Sequence, residues 1–139
     1  MSEQANVALV LSVYDAFRRG DVATILNHLD PQVEWNYEGP AAIPFAGIHH
    51  DRESVAKFFE AIAGTMDEIK LHMEPFAAQG DNVVTSGRYQ ARVKPTGKRV
   101  DVPLVHLWTI RNGMVVRYQN LTDTAATAAA YTSGAAAAR

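Results

Sequence analysis

The spacing of apolar residues divides the chain into a helical first part and a strand-rich second part. Over residues 5–19 apolar side chains recur every three or four positions, as in an amphipathic helix. That stripe comprises Val7, Val10, Leu11, Tyr14 and Phe17. Gly20 then predicts a helix end, and Asp21 is a suitable N-cap for a short second helix. A third helix is predicted after Asp51. Its buried stripe comprises Val55, Phe58, Phe59 and Ile62.

The strand-rich part is marked by a change of period from about 3.6 to 2. Residues 33–37 already alternate, with Val33, Trp35 and Tyr37 on one side. Four further strands are predicted near 68–78, 82–94, 99–110 and 114–122. Asn112-Gly113 is typical of a two-residue type I′ turn between the last two strands. The order of elements therefore predicts an α+β fold in which three N-terminal helices pack on a mainly antiparallel sheet.

The remaining segment is alanine-rich and begins at Asp123, which could cap a short helix that ends before Gly134. The last residues are expected to fray. The chain contains no linker and no internal repeat. We therefore expect one domain over residues 1–139, with an ordered core over about residues 5–130.

The fourth of the five predicted strands is apolar on both faces. One face carries Val102, Leu104, His106, Trp108 and Ile110. The opposite face carries Val105 and Leu107. A strand with two apolar faces needs cover on both sides, and three short helices can cover only one. The pattern thus predicts a homodimer that packs through the outer face of the sheet.

Composition narrows the class of protein further. The formal net charge of −2 leaves no basic stripe for nucleic acid. No window is long and apolar enough to cross a bilayer, and the N-terminus lacks the pattern of a signal peptide. The absence of cysteine excludes disulfides and thiolate metal sites. A cytoplasmic protein is the simplest interpretation.

Three segments resemble the SnoaL-like branch of the nuclear-transport-factor-2-like (NTF2-like) superfamily. They are "VYDAFRRGDVATILNHLDPQVEW", "FAGIHHDRESVAKFF" and the closing stretch "GRYQARVKPTGKRVDVPLVHLWTIRNGMVVRYQNLTDTA". The similarity extends over roughly residues 5 to 130. It implies a cone-shaped, curved, mixed or antiparallel sheet wrapped around the helices, with an apolar pocket between them. The superfamily includes isomerases, cyclases, hydrolases, dehydratases and non-enzymes, so the resemblance indicates a fold more strongly than an activity.

The resemblance also implies where catalytic acids would lie. The polyketide cyclases of the family carry an Asp at the position of Asn120, and the ketosteroid isomerases carry acids at those of Trp35 and His106. Their tyrosine falls near Val13, one position from Tyr14. None of the three acid positions is acidic in this chain.

The nearby carboxylates are expected to point away from the pocket. Glu34 and Asp101 have the opposite parity to Trp35 and His106 on their strands. Asp123 lies past the end of its strand, where it could be either a helix cap or a catalyst.

His106 is the strongest chemical candidate, because an unperturbed histidine pKa of about 6.5 allows acid or base chemistry near neutrality. Tyr118 and Asn120 share its face and could position an enol, carbonyl or water. The alternative is a buried histidine that is hydrogen-bonded to a neighbour such as Asn120. The predicted substrate-binding residues are Tyr14, Trp35, Tyr37, Phe58 and Trp108.

His49 and His50 are adjacent, but no spaced motif supplies a third metal ligand, so no metal is predicted. Their loop could instead form part of a lid. No cofactor motif is present, and no cofactor is predicted. Two functions remain open. The first is an isomerase, cyclase, or hydratase or hydrolase acting on a small apolar polyketide- or steroid-like molecule. The second is a dimeric protein that binds such a molecule, or assists another protein, without catalysis.

Overall fold

A curved sheet of six strands with four helices makes up residues 2–132, the part of the chain that the computed structural model describes. The helices are α1 (Glu3–Arg18), α2 (Val22–Asn27), α3 (Arg52–Thr65) and α4 (Thr124–Tyr131). The strands are β1 (Leu29–Tyr37), β2 (Gly47–His49), β3 (Met66–Gln79), β4 (Asn82–Val93), β5 (Arg99–Arg111) and β6 (Met114–Thr122). The predicted α+β class, the three N-terminal helices and the four-strand meander are confirmed. The frayed end predicted for the tail lies outside the described residues.

Side-chain caps begin each of these helices. The side chain of Ser2 accepts a hydrogen bond from the backbone N–H of Ala5 at 3.0 Å. Each of the three predicted caps likewise accepts a hydrogen bond from the backbone N–H three residues further along the chain. The distances are 3.1 Å for Asp21, 2.7 Å for Asp51 and 3.0 Å for Asp123. These bonds satisfy N–H groups that the first helical turn leaves without a partner. The carboxylate of Asp123 is thus occupied as a helix cap.

The strands run in the order β2-β1-β6-β5-β4-β3, with only β1 and β6 parallel. β2 lies in a Pro- and Gly-rich segment that was predicted to be a loop, and it pairs with only three residues of β1. β1 also begins at Leu29, earlier than the alternation starting at Val33 predicted. Pro31 falls within the register shift between Leu29 and Glu34, where its missing N–H costs no regular ladder bond.

The predicted turn between β5 and β6 is confirmed by its backbone. Asn112 has φ 53° and Gly113 has φ 74°, as the two central positions of a type I′ turn require. At Gly87 the reason for glycine is different, because an added Cβ would lie 1.8 Å from the carbonyl oxygen of His72 on β3. β3 and β4 can approach this closely only without a side chain.

The core lies between the helices and the inner, concave face of the sheet. The predicted inward residues of β5 and the predicted stripe of α3 are all buried. One prediction for α1 is wrong, because Leu11 is 47% exposed. The buried face is centred on Val10, Val13 and Tyr14, and Leu11 lies at its solvent edge.

No helix within residues 2–132 combines the length and the apolar character needed to cross a membrane.

Candidate functional site

A cavity of about 80 Å³ lies between the helices and the inner face of the sheet. We call it the inner cavity. Its walls are almost entirely apolar and aromatic. All eight residues predicted for the site line it: Tyr14, Trp35, Tyr37, Phe58, His106, Trp108, Tyr118 and Asn120. Apolar walls with a few convergent polar groups are typical of small-molecule sites.

A chain of hydrogen bonds crosses one wall of the inner cavity. His106 stands at its centre, with Nδ1 2.6 Å from Oη of Tyr14 and Nε2 3.0 Å from Oη of Tyr118. At one end Nε1 of Trp108 donates to Tyr14 over 3.1 Å. At the other end Nδ2 of Asn120 donates to Tyr118 over 3.0 Å. Five predicted site residues therefore form one connected polar network.

The strands determine this arrangement. His106 lies directly opposite Asn120 in the β5–β6 ladder, and Trp108 lies opposite Tyr118. Because alternate residues of a strand share a face, the four side chains form a patch on the inner surface. Tyr14 reaches this patch from α1, and its ring lies parallel to that of His106 at a centroid distance of 5.8 Å.

Burial keeps the network neutral. Removal from water disfavours the imidazolium and lowers the pKa of His106 to about 3. The same cause raises the pKa of both Tyr14 and Tyr118. The expectation of a histidine that titrates near neutrality is therefore wrong, because it used the value for a solvated ring. The structure instead has the alternative arrangement, a buried histidine hydrogen-bonded to neighbours, and these neighbours are Tyr14 and Tyr118 in place of Asn120.

A neutral network contains one hydroxyl hydrogen more than it can use. The imidazole of His106 supplies one donor and one acceptor, so it donates to one tyrosine and accepts from the other. Trp108 and Asn120 already donate to those tyrosines. With Nδ2 of Asn120 facing Tyr118, the tyrosine to which His106 donates keeps its own hydrogen, and no atom that contacts this hydroxyl within the network accepts it. That hydrogen is available to a bound molecule.

Two buried polar atoms on residues of the cavity wall have no hydrogen-bond partner in the described part of the chain: Oδ1 of Asn120 and Nε1 of Trp35. An unpaired buried polar atom costs about 1–3 kcal/mol, which a ligand could recover by pairing with it. The ring of Trp35 is stacked on Tyr118 at a centroid distance of 3.9 Å, and Asn120 is itself part of the network. Both unpaired atoms therefore belong to residues in or beside the network. Trp35 was predicted as a substrate-binding residue, but its N–H was not identified as an unpaired donor.

The nearby carboxylates point outward, as their parity predicted. Glu34 accepts a hydrogen bond from Arg117 at 3.0 Å, and Asp101 accepts one from Arg88 at 2.6 Å. Among residues 2–132 no Asp or Glu lines the inner cavity. The cavity therefore has no carboxylate base.

The histidine pair before α3 is placed apart from the network. Nε2 of His49 lies 3.3 Å from the carbonyl oxygen of Phe45, and its ring packs on Phe58. His50 is exposed. Within the described residues no three His, Asp or Glu side chains are grouped as a metal site would require. His49 thus supports the segment that carries Phe45, which is itself a wall residue.

Several wall residues were missed by sequence reasoning. They include Phe45, Leu71, Tyr89, Thr122 and Thr127. Strand alternation could have identified Tyr89, which pairs with the inward-facing Val102. Thr127 could not have been identified, because its place depends on how α4 packs against the sheet.

A curved sheet folded over helices around an aromatic cavity defines a class of small α+β pocket proteins. Within that class, the chain belongs to the SnoaL-like domain family, whose model matches residues 10–118. This confirms the resemblance on which the sequence analysis relied. None of the curated proteins compared with this chain matches it.

Solved structures with the same fold cover nearly the whole chain. An NTF2-like protein from Burkholderia xenovorans is 30% identical, with a TM-score of 0.86 over 95% of this chain and 99% of that one. One from Burkholderia pseudomallei is 27% identical, with a TM-score of 0.86 over 96% and 100%. TerC, co-crystallised with polyporic acid, is 27% identical, with a TM-score of 0.81 over 91% and 98%. The cone-shaped fold is thus shared over more than nine tenths of the chain.

Proposed function

We propose that this SnoaL-like protein binds a small apolar molecule with a carbonyl oxygen and polarises that carbonyl for isomerisation or cyclisation. The observation that carries the proposal is the hydrogen-bond chain from Tyr14 through His106 to Tyr118, in which a neutral imidazole leaves one tyrosine hydroxyl free to donate. A neutral O–H aimed at a carbonyl stabilises the negative charge that develops on oxygen when an enol or enolate forms. The apolar walls supply the rest of the binding.

The neutral network limits the chemistry. A histidine whose pKa is about 3 is a poor base for a proton on carbon, and no carboxylate replaces it in the inner cavity. The reaction proposed here is therefore one in which the protein donates hydrogen bonds and holds a reactive conformation. Tyr118 is the proposed donor. In this proposal His106 donates to Tyr118 from Nε2, which leaves the hydroxyl hydrogen free, and Asn120 holds the same hydroxyl through Nδ2.

The second candidate is a binding protein without catalysis. The low pKa of His106 favours it, because every polar group in the network is neutral at pH 7 and no proton-transfer group is evident. TerC also supports a small organic ligand for this fold, since it was co-crystallised with polyporic acid. Once a substrate is found, Tyr118→Phe separates the candidates. If the protein is an enzyme, Tyr118→Phe should lower turnover far more than affinity. If it is a binding protein, only the affinity should fall.

Ligand binding can be tested with a matched pair of probes. 1-Indanone and indane have the same ring skeleton and differ in one carbonyl oxygen. Calorimetric titration should show tighter binding of 1-indanone to the wild-type protein, by about fivefold for one additional hydrogen bond. Tyr118→Phe should remove most of that preference. Gln119→Ala, on the opposite face of β6, is the control and should retain it. Equal affinity of both probes for the wild type would overturn the proposal.

A homodimer through the outer face remains part of the proposal. Val84 and Leu121 are 40% and 54% exposed there, and cross-strand pairing places them beside Leu107 and Val105, respectively. These four residues form a continuous apolar patch on three strands. Light scattering at micromolar concentration should give the mass of a dimer, and Leu121→Lys should shift it towards a monomer. A wild-type monomer would contradict this assignment.

A further inference from the structure

A second cavity of about 240 Å³ lies beside the first. Its walls come from the end of α1, from α2, from α3 and from β3. We call it the outer cavity, because it reaches the exposed residues Arg18 and Gly20. It shares much of its lining with the inner cavity, through Phe17, Ile25, Phe59, Ile62 and Leu71. At most one layer of side chains therefore separates the two spaces.

Arg18 is the one charged residue that lines the outer cavity in the described part of the chain. Its Nε and Nη2 donate to the carbonyl oxygen of Leu71 at 3.4 and 3.2 Å. Among residues 2–132 no carboxylate forms an ion pair with it. The next residue differs, because Arg19 pairs with Asp15 at 3.1 Å and with Asp21 at 3.3 Å. Arg18 thus brings an uncompensated positive charge to an otherwise apolar cavity.

The position of Arg18 on α1 connects it to the polar network. Tyr14 lies one helical turn earlier, so the two side chains share a face of the helix. Burial raises the pKa of Tyr14, and the positive charge of Arg18 offsets a smaller part of that increase. One helix face therefore contributes a neutral hydrogen-bonding group to the inner cavity and a cation to the outer one.

We propose that the side chains shared by the two cavities move apart so that one elongated oxo-carboxylate occupies both, with its carbonyl oxygen at the hydroxyl of Tyr118 and its carboxylate at Arg18. The inner end of this ligand rests on the function proposed above. The planar guanidinium matches a carboxylate in shape and charge. The walls between the two ends are apolar, among them Val22, Ala63 and Ile69, and they fit a hydrocarbon or aryl spacer. The substrate class is thus narrowed to apolar keto acids.

The test uses a length series of keto acids from 4-oxopentanoate to 10-oxoundecanoate, each compared with its methyl ester by calorimetry. One length should bind tightest, because the spacer must span both cavities. At that length the acid should bind about fivefold more tightly than its ester, as expected for an exposed ion pair. The preference should shrink as salt is raised to about 0.5 M, while the affinity of the ester should not fall.

Two neighbouring variants assign the preference to a residue. Arg18→Gln should make acid and ester bind equally, whereas Arg19→Gln, the matched control outside the cavity, should keep the preference. Equal binding of acid and ester to the wild type, or a preference that survives Arg18→Gln, would overturn the inference. If esters still bind in a way that depends on Tyr118, the proposed function stands while the anionic end fails. If neither acids nor esters bind, both proposals are wrong.

Discussion

The two faces of the sheet place polar groups in opposite ways. On the inner face, His106 and Tyr118 are buried, neutral and held by directional hydrogen bonds. On the outer face, Arg88 and Asp101 are about half-exposed and form an ion pair. Asp101 and His106 lie on the same strand but face opposite sides of the sheet. Burial on the inner side thus disfavours a charge, whereas the outer side leaves an ion pair in contact with water.

A substitution on the inner face should therefore lower the free energy of unfolding far more than one at an exposed position. His106→Leu removes the group between Tyr14 and Tyr118 and leaves hydroxyl groups of both without their partner. We expect a loss of about 3 kcal/mol in the free energy of unfolding, measured by urea denaturation. His50→Leu, at an exposed histidine, is the control and should change the stability by less than about 0.5 kcal/mol. Equal losses in the two variants would contradict the inner network.

The neutral state of His106 has a consequence for acid stability. Its pKa is about 3 in the folded protein, against about 6.5 for an unfolded histidine. Between these values the unfolded chain binds the proton and the folded one does not, so stability is full above pH 6.5 and falls as the pH drops. From pH 7 to pH 5 this residue should account for a loss of about 2 kcal/mol. Subtracting the pH profile of His106→Gln from that of the wild type isolates the effect. Parallel profiles would refute it.

A carboxylate introduced on the inner face should show the opposite pH dependence. Asn120→Asp places an acid among apolar walls, and burial should raise its pKa above the unfolded value of about 3.9. The unfolded chain then releases its proton first, so the variant loses stability as the pH rises from 4 to 7. We expect a deficit of about 1–2 kcal/mol at pH 7 relative to pH 4, after subtraction of the wild-type profile. A variant as stable as the wild type at both pH values would show that the cavity accepts charge.

The smallest effect is expected on the outer face. Asp101→Asn removes the partner of Arg88, but both side chains are more than half exposed and screened by water. The expected loss is below about 1 kcal/mol at low salt and smaller still at about 1 M salt. A loss as large as that of His106→Leu would remove the distinction between the two faces.

Strand parity accounts for most of what the sequence could predict. It placed Trp35, His106 and Tyr118 inward and both Glu34 and Asp101 outward. Side chains alternate between the two faces of a strand, so the apolar positions determine which face each neighbour occupies. The three aspartate caps were predictable for a similar local reason, since the capping side chain and the backbone N–H that donates to it lie three positions apart.

What could not be predicted depends on packing between distant segments. Tyr14 reaches His106 across 92 positions of the chain, so the partner of the imidazole depends on how α1 docks. The pKa of His106 follows from that same burial, and the sequence contains only the solvated value. Leu11 was misplaced because helical periodicity marks a stripe without marking its edge. The outer cavity is formed by three helices and a strand, so no local sequence pattern predicts it.

The central claim is that His106 is a neutral, buried member of a hydrogen-bonded network. NMR of the two imidazole nitrogens of His106 tests it directly, with the signals assigned by comparison with His106→Gln. Between pH 7.5 and 5 the account predicts one protonated and one unprotonated nitrogen throughout, with no titration step. A transition to the imidazolium with a midpoint near pH 6.5 would contradict it.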